Sequence, residues 1–96
     1  APPTLCDALQ TPLVSPITFG TLRDRQAKAV SVTNEEVEAA MRFAFERHGL
    51  VVEPGGSAAL AALLADKLPM RGDTVVVLSG GNVDPAFHAR IVAAAA

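Results

Sequence analysis

The residues best placed to do chemistry form a Ser-Gly-Gly-Asn run at positions 79–82. The run follows four apolar residues, 75–78, a pattern typical of a strand covered on both faces in a parallel sheet. Ligands of open α/β sheets bind beyond the carboxyl ends of the strands, so the Ser79 hydroxyl would lie at a binding edge. Gly80 lacks a side chain and would let the backbone approach a flat ligand closely. The alternative is an ordinary strand-to-helix turn in which Gly and Asn serve only the backbone geometry.

A second Gly-rich turn, Glu-Pro-Gly-Gly-Ser at positions 53–57, precedes a stretch of helix-forming residues. Free N–H groups at such a helix start could receive an anion, and the Glu53 carboxylate lies beside them. The alternative is a plain helix start capped by Gly56 or Ser57. The chain has no Walker-type lysine and no Gly-x-Ser-x-Gly elbow, which excludes a nucleoside-triphosphate P-loop and the nucleophile elbow of hydrolases.

The elements that must position these turns follow from periodicity and capping signals. The clearest helix is predicted to start after Thr33, which forms a capping box with Glu36, and to end at a left-handed Gly49. One face of this helix is expected to be buried, namely Val37, Ala40, Met41, Ala44, Phe45 and His48.

Shorter elements complete a predicted α/β order. Short strands are expected at residues 27–32 and 75–78. Helical segments are expected at residues 4–9, 18–25, 58–67 and 86–96, with Thr18 capping the second and Asp84 capping the last, ahead of Pro85.

The composition bounds the class of protein. The chain has 96 residues, half of them hydrophobic and 19% charged, with a net charge of -2. This balance fits one folded domain and gives no electrostatic reason to bind nucleic acid or an anionic membrane. One Cys and two His exclude an internal disulfide framework and argue against a Cys/His zinc cluster. We expect a soluble, cytoplasmic protein in which Cys6 is a buried small hydrophobe and His88 lies on the surface.

Four segments, in this order, resemble one family: Thr-Leu-Cys-Asp-Ala-Leu at 4–9, Val-Ser-Val-Thr-Asn-Glu-Glu at 30–36, Val-Val-Glu-Pro at 51–54 and Val-Leu-Ser-Gly-Gly-Asn-Val-Asp at 77–84. Together they look like the C-terminal section of a fold type II pyridoxal-phosphate-dependent enzyme of the threonine dehydratase and serine racemase group. The resemblance spans residues 1–96 and implies a tryptophan synthase β-like α/β fold, with helices packed on a mostly parallel sheet.

The resemblance also implies roles for individual residues toward pyridoxal 5'-phosphate. Ser79 would hydrogen-bond the pyridine nitrogen of the cofactor, and Gly80 would let the ring lie against the backbone. Glu53 would lie close to the ring. Ala8 stands where relatives commonly have glycine beside the ring.

The resemblance further implies that the Schiff-base lysine, the phosphate-binding loop and the metal ligands lie upstream of this chain. Neither Lys28 nor Lys67 is then the catalytic lysine, and the chain alone is expected to be inactive. The expected partners are the upstream part of the enzyme, a small amino-acid substrate and a second subunit in a homodimer.

The leading hypothesis is an L-threonine or L-serine dehydratase that gives a 2-oxo acid and ammonia. Within the family the alternatives are a serine racemase or a 3-hydroxyaspartate dehydratase. An alternative of another class is a non-catalytic module that binds an anion or serves assembly through its Gly-rich turns.

Overall fold

The computed structural model describes residues 4–6, 15–69 and 72–94. These residues form four α-helices: α1 (Pro16–Asp24), α2 (Asn34–His48), α3 (Ala58–Leu64) and α4 (Pro85–Ala93). A 3-10 turn, Gly55–Ser57, leads directly into α3. None of the helices in these ranges is long and apolar enough to cross a membrane.

Helix α2 begins and ends where the sequence predicts. The Glu36 N–H donates to Thr33 Oγ1 at 3.1 Å, and the Thr33 N–H donates to Glu36 Oε1 at 2.8 Å, which completes the capping box. At the other end Gly49 has φ 65°, and its N–H donates to the Phe45 carbonyl at 2.9 Å. Both signals depend on neighbours in the chain, so the sequence specifies them locally.

The core lies where α3 and α4 pack against α2. Of the predicted α2 face, Phe45 and His48 are exposed, because the buried face of α2 is narrower than its apolar pattern. Phe43, on another side of α2, packs against the core edge. The buried cluster comprises Cys6, Val37, Ala40, Met41, Ala44, Val52, Leu60, Ala61 and Ile91.

The two predicted strands are not formed in the part of the chain that the structure describes. Around residues 75–78 the side chains do alternate: Val76 and Leu78 pack on the core, whereas Val75 and Val77 are 90% and 69% exposed. A strand also needs a ladder of hydrogen bonds to a neighbour, and no described residue bonds the backbone of residues 75–78. Residues 75–78 therefore have one buried and one exposed side, but in the described part of the chain they do not pair with a neighbouring strand as the predicted parallel sheet requires.

Several helix ends differ from their predictions. Helix α1 begins at Pro16, whose fixed φ suits a first helical position, so Thr18 lies inside the helix and is not its cap. Helix α3 ends at Leu64, and Asp66 then takes φ 58°, which stops the helix before Lys67. In the predicted segment 4–9, residues 4–6 are not helical and the rest lies outside the described residues.

Helix α4 has the predicted start and a shorter length. Asp84 Oδ2 accepts a hydrogen bond from the Phe87 N–H at 3.0 Å, and Pro85 occupies the first turn. The helix ends at Ala93 rather than at residue 96. Arg42 of α2 donates to the Ile91 carbonyl at 3.2 Å, which ties α4 to α2.

Candidate functional site

The two Gly-rich turns lie side by side. The Glu53 N–H donates to the Gly80 carbonyl at 2.8 Å, and the Ser79 N–H donates to the Gly56 carbonyl at 3.3 Å. These two backbone hydrogen bonds join segments more than twenty residues apart in sequence. Their residue patterns identify two separate candidate sites, and the structure brings them together into one.

Glu53 packs directly over Gly80. Gly80 has φ 74°, a left-handed conformation that glycine adopts readily. A Cβ atom built on Gly80 would lie 1.7 Å from Glu53 Oε1 and 2.5 Å from its carboxyl carbon. Only glycine at position 80 therefore lets the Glu53 carboxylate occupy this place.

Ser57 closes the first turn from within. Its side chain has no exposed surface, and Ser57 Oγ donates to the Glu53 carbonyl at 2.9 Å. Ser57 occupies the N-cap position of α3, one of the two caps that the alternative allows, but its side chain makes no cap bond. Its hydroxyl bonds backward into the turn because the preceding 3-10 turn brings the Glu53 carbonyl within reach.

Ser79 presents its side chain at the outer side of this pair of turns. The residue is exposed, and its hydroxyl has no hydrogen-bond partner in the described part of the chain. Gly80 and Gly81, also exposed, follow it without side chains. This leaves a neutral hydroxyl, which can donate or accept a hydrogen bond, beside a surface bare of side chains.

Ala8 and Lys67 remain to be located, the first predicted to lie beside the cofactor ring and the second predicted not to be the catalytic lysine. Ala8 lies outside the described residues. Lys67 Nζ contacts Glu36 Oε1 at 2.7 Å and donates to the Ser31 carbonyl at 2.6 Å. The hydrogen bond from Lys67, followed by the one from the Thr33 backbone, lowers the pKa of Glu36. The Lys67 ammonium is thus engaged in joining the end of α3 to the start of α2.

His88 is buried, which corrects the prediction that it lies on the surface. It is 7% exposed, and Nε2 has no hydrogen-bond partner among the residues described. Its ring meets Phe45 edge-on, with centroids 5.2 Å apart. The i, i+3 spacing of His88 and Ile91 is the signal that could have placed both on the buried face of α4.

Ser79, Gly80 and Glu53 therefore meet where an apolar segment ends, which is where ligands of α/β proteins commonly bind. The family model described as "Pyridoxal-phosphate dependent enzyme" matches residues 1–81. The chain belongs to this family, whose cofactor is pyridoxal phosphate. Membership implies the α/β fold type II architecture, of which the described residues form the helices.

Individual relatives narrow the comparison. The chain is 36% identical over 92 residues to the L-threo-3-hydroxyaspartate ammonia-lyase of a Pseudomonas species, covering 95% of this chain and 29% of that protein. It is 31% identical over 94 residues to the serine racemase of Dictyostelium discoideum, with the same two coverages. It is 40% identical over 82 residues to the L-threonine ammonia-lyase of Geobacter sulfurreducens, covering 84% of this chain and 20% of that protein. The chain thus spans less than a third of the length of these relatives.

Proposed function

We propose that residues 1–96 are the C-terminal section of a pyridoxal-phosphate-dependent ammonia-lyase that converts L-threonine or L-serine to a 2-oxo acid and ammonia. The observation that carries the proposal is that Glu53 packs against Gly80, directly beside Ser79, where the two Gly-rich turns are joined. Two L-threonine ammonia-lyases among the relatives, 40% and 34% identical, support this reaction class. Relatives named serine racemase and L-threo-3-hydroxyaspartate ammonia-lyase support the two alternatives, a racemase and a hydroxyaspartate dehydratase.

Ser79 is proposed to hold the cofactor ring. Pyridoxal phosphate, when bound, supplies the electron sink that lets an amino acid lose its α-proton. The Ser79 hydroxyl would donate a hydrogen bond to the ring nitrogen and leave that nitrogen neutral, whereas an aspartate would stabilise its protonated form. A neutral nitrogen moderates the electron sink, which suits loss of a β-hydroxyl better than deep carbanion stabilisation.

The neighbours of Ser79 are proposed to shape the ring's surroundings. Gly80 would let one face of the ring lie against backbone. Glu53, half-buried over Gly80, would lie near the ring edge. By resemblance, Ala8 is proposed to stand beside the ring, where relatives commonly have glycine.

The remainder of the enzyme is the proposed partner. Val75 and Val77 expose most of their apolar surface, and Ile17 is 82% exposed. Such surfaces normally meet another part of a protein. We propose that the covering part supplies the Schiff-base lysine, since Lys67 is ion-paired with Glu36 and the family resemblance places the lysine motif at neither Lys28 nor Lys67. The complete enzyme would be a homodimer.

The test replaces Ser79 by Ala and by Asp in the protein that carries this chain. Ser15→Ala is the matched control, because Ser15 is exposed and makes no side-chain cap bond. Both Ser79 variants should change the absorbance spectrum of the bound cofactor and lower turnover at least about tenfold, one hydrogen bond's share of the barrier. An unchanged spectrum together with unchanged turnover would refute the assignment.

Product analysis separates the three activities. The unmodified protein is incubated with L-threonine, L-serine and L-threo-3-hydroxyaspartate in turn. Formation of 2-oxobutanoate from L-threonine supports the proposed reaction. D-Serine as the main product of L-serine supports the racemase, and turnover confined to the hydroxyaspartate supports the third activity.

A further inference from the structure

The turn at residues 53–57 fits against Ser79 with no space left at Gly56. Gly56 is buried, and a Cβ atom built on it would lie 1.4 Å from the Ser79 carbonyl oxygen and 2.6 Å from the carbonyl carbon. Both are backbone atoms, which cannot rotate away as the end of a side chain can. Any other residue at position 56 must therefore displace the Ser79 peptide.

Two hydrogen bonds hold the backbone on both sides of the Ser79 side chain. In the first, the Ser79 N–H donates to the Gly56 carbonyl. In the second, the Glu53 N–H donates to the Gly80 carbonyl. The hydroxyl between them is exposed and unbonded within the described residues. A fixed backbone with a free polar group is the arrangement that positions a ligand-binding side chain.

Ser57 keeps the turn itself rigid. Its N–H donates to the Pro54 carbonyl at 3.0 Å, and its hydroxyl donates to the Glu53 carbonyl at 2.9 Å. The side chain has no exposed surface, so water does not compete for these bonds. The spacing between Glu53 and Gly56, on which both bonds to residues 79 and 80 depend, is thereby maintained.

We infer that Gly56 is a positioning residue for Ser79 and that Ser57 stiffens the turn to which Gly56 belongs. The inference rests on the proposed function, because it makes the Ser79 hydroxyl the group that meets the cofactor. Gly56 does not itself touch the ring. It acts by allowing the Ser79 carbonyl to lie against its Cα, and a displacement of about 1 Å is enough to cost much of a hydrogen bond's effect.

The experiment compares Gly56→Ala with Gly20→Ala in the protein that carries this chain. Gly20 lies in α1, and a Cβ built there meets nothing within 4 Å. Three measurements are made: the affinity of the apoprotein for pyridoxal phosphate, the absorbance of the bound cofactor, and hydrogen exchange at the Ser79 and Glu53 amides. For Gly56→Ala we expect about tenfold weaker binding, an altered spectrum and faster exchange at both amides. Gly20→Ala should match the unmodified protein in all three.

Each outcome decides something. Gly56→Ala that equals the unmodified protein in affinity, spectrum and exchange overturns the inference. If the unmodified protein binds no pyridoxal phosphate, the proposed function fails. The positioning role is then tested by hydrogen exchange at the Ser79 and Glu53 amides alone: faster exchange in Gly56→Ala supports it, and unchanged exchange overturns it. If Gly56→Ala does not fold, Ser57→Ala decides, because it adds no volume. It should weaken cofactor binding about two- to tenfold and speed the same exchange, and unchanged values would overturn the inference.

Discussion

Replacing Gly80 by alanine should damage the fold through two separable effects. The first is conformational, since Gly80 has φ 74° and an alanine in the left-handed region costs about 1–2 kcal/mol. The second is steric, because the new Cβ would overlap the Glu53 side chain, at 1.7 Å from Oε1 and 2.9 Å from its Cγ. Moving that flexible side chain off its rotamer adds about 0.5–1.5 kcal/mol. Gly80→Ala should therefore cost about 1.5–3.5 kcal/mol.

Two other glycines provide matched controls. Gly49 has φ 65° and a Cβ there meets nothing within 4 Å, so Gly49→Ala carries only the conformational cost of about 1–2 kcal/mol. Gly20 has neither a positive φ nor a close neighbour. Because alanine is the better helix former by about 1 kcal/mol, Gly20→Ala should leave stability unchanged or raise it. The three variants thus separate backbone strain from steric overlap.

Urea unfolding of the protein that carries this chain measures the effect. The double variant Gly80→Ala with Glu53→Ala removes the overlapping atoms and with them the steric contribution to the cost. Its loss of stability should therefore equal that of Gly49→Ala. Comparable slopes against urea are needed for the midpoints to report stability. Apoprotein affinity for pyridoxal phosphate should fall in Gly80→Ala and should not recover in the double variant. A Gly80→Ala cost no larger than that of Gly49→Ala would refute the packing of Glu53 over Gly80.

Three further changes test the core, a helix cap and an ion pair. Met41→Ala removes a side chain with no exposed surface and should cost about 2–5 kcal/mol in urea unfolding, whereas Met41→Leu should cost under about 1.5 kcal/mol; equal costs would contradict the tight packing. Asp84→Ala should lower the free energy of unfolding by about 0.5–2 kcal/mol, because the hydrogen bond from the Phe87 N–H is lost. Asp84→Asn retains an oxygen that can accept this bond and should lose only a small part of that stability. An Asn variant as unstable as the Ala variant would argue against a capping role. The hydrogen bond from Lys67 lowers the pKa of Glu36 below its ordinary 4.5. The stability that this carboxylate contributes is therefore present above pH 4.5, and it is lost as the pH falls through the lowered pKa of the folded state. Glu36→Gln should therefore flatten the fall of the unfolding midpoint with acid, and an unchanged acid slope would contradict the ion pair.

The sequence predicts best those features that depend on bonds between near neighbours. The capping box of Thr33 and Glu36, the left-handed Gly49 and the Asp84 cap all close within four residues, and all are present. The strands at residues 27–32 and 75–78 require partners across a sheet, and apolar alternation does not supply the partner. The prediction that His88 lies on the surface is wrong although its i, i+3 spacing with Ile91 indicates a shared buried face; that its ring meets Phe45 of α2 is defined only by the packed chain.

The candidate site divides in the same way. Ser79 and Glu53 could be singled out from residue type, neighbouring glycines and resemblance to a family. Their mutual arrangement could not, since it rests on distances between two turns that only the packed chain defines. The buried Ser57 illustrates the point. As a cap its hydroxyl oxygen would accept a hydrogen bond from a backbone N–H of α3, whereas in the structure the hydroxyl donates to the Glu53 carbonyl, and spacing alone leaves both open.

The two turns interlock reciprocally, and this explains why glycines rather than reactive side chains mark the site in the sequence. Gly56 of one turn admits the Ser79 carbonyl of the other, while Gly80 of the second admits the Glu53 carboxylate of the first. Neither approach is possible without the missing Cβ atom, so each turn fixes the position of the polar group carried by its partner. A side chain at position 56 must then displace the Ser79 backbone, and one at position 80 must displace the Glu53 side chain. The opposite turn consequently holds the backbone of Ser79 in place, while the residue itself lies exposed at the end of an apolar segment.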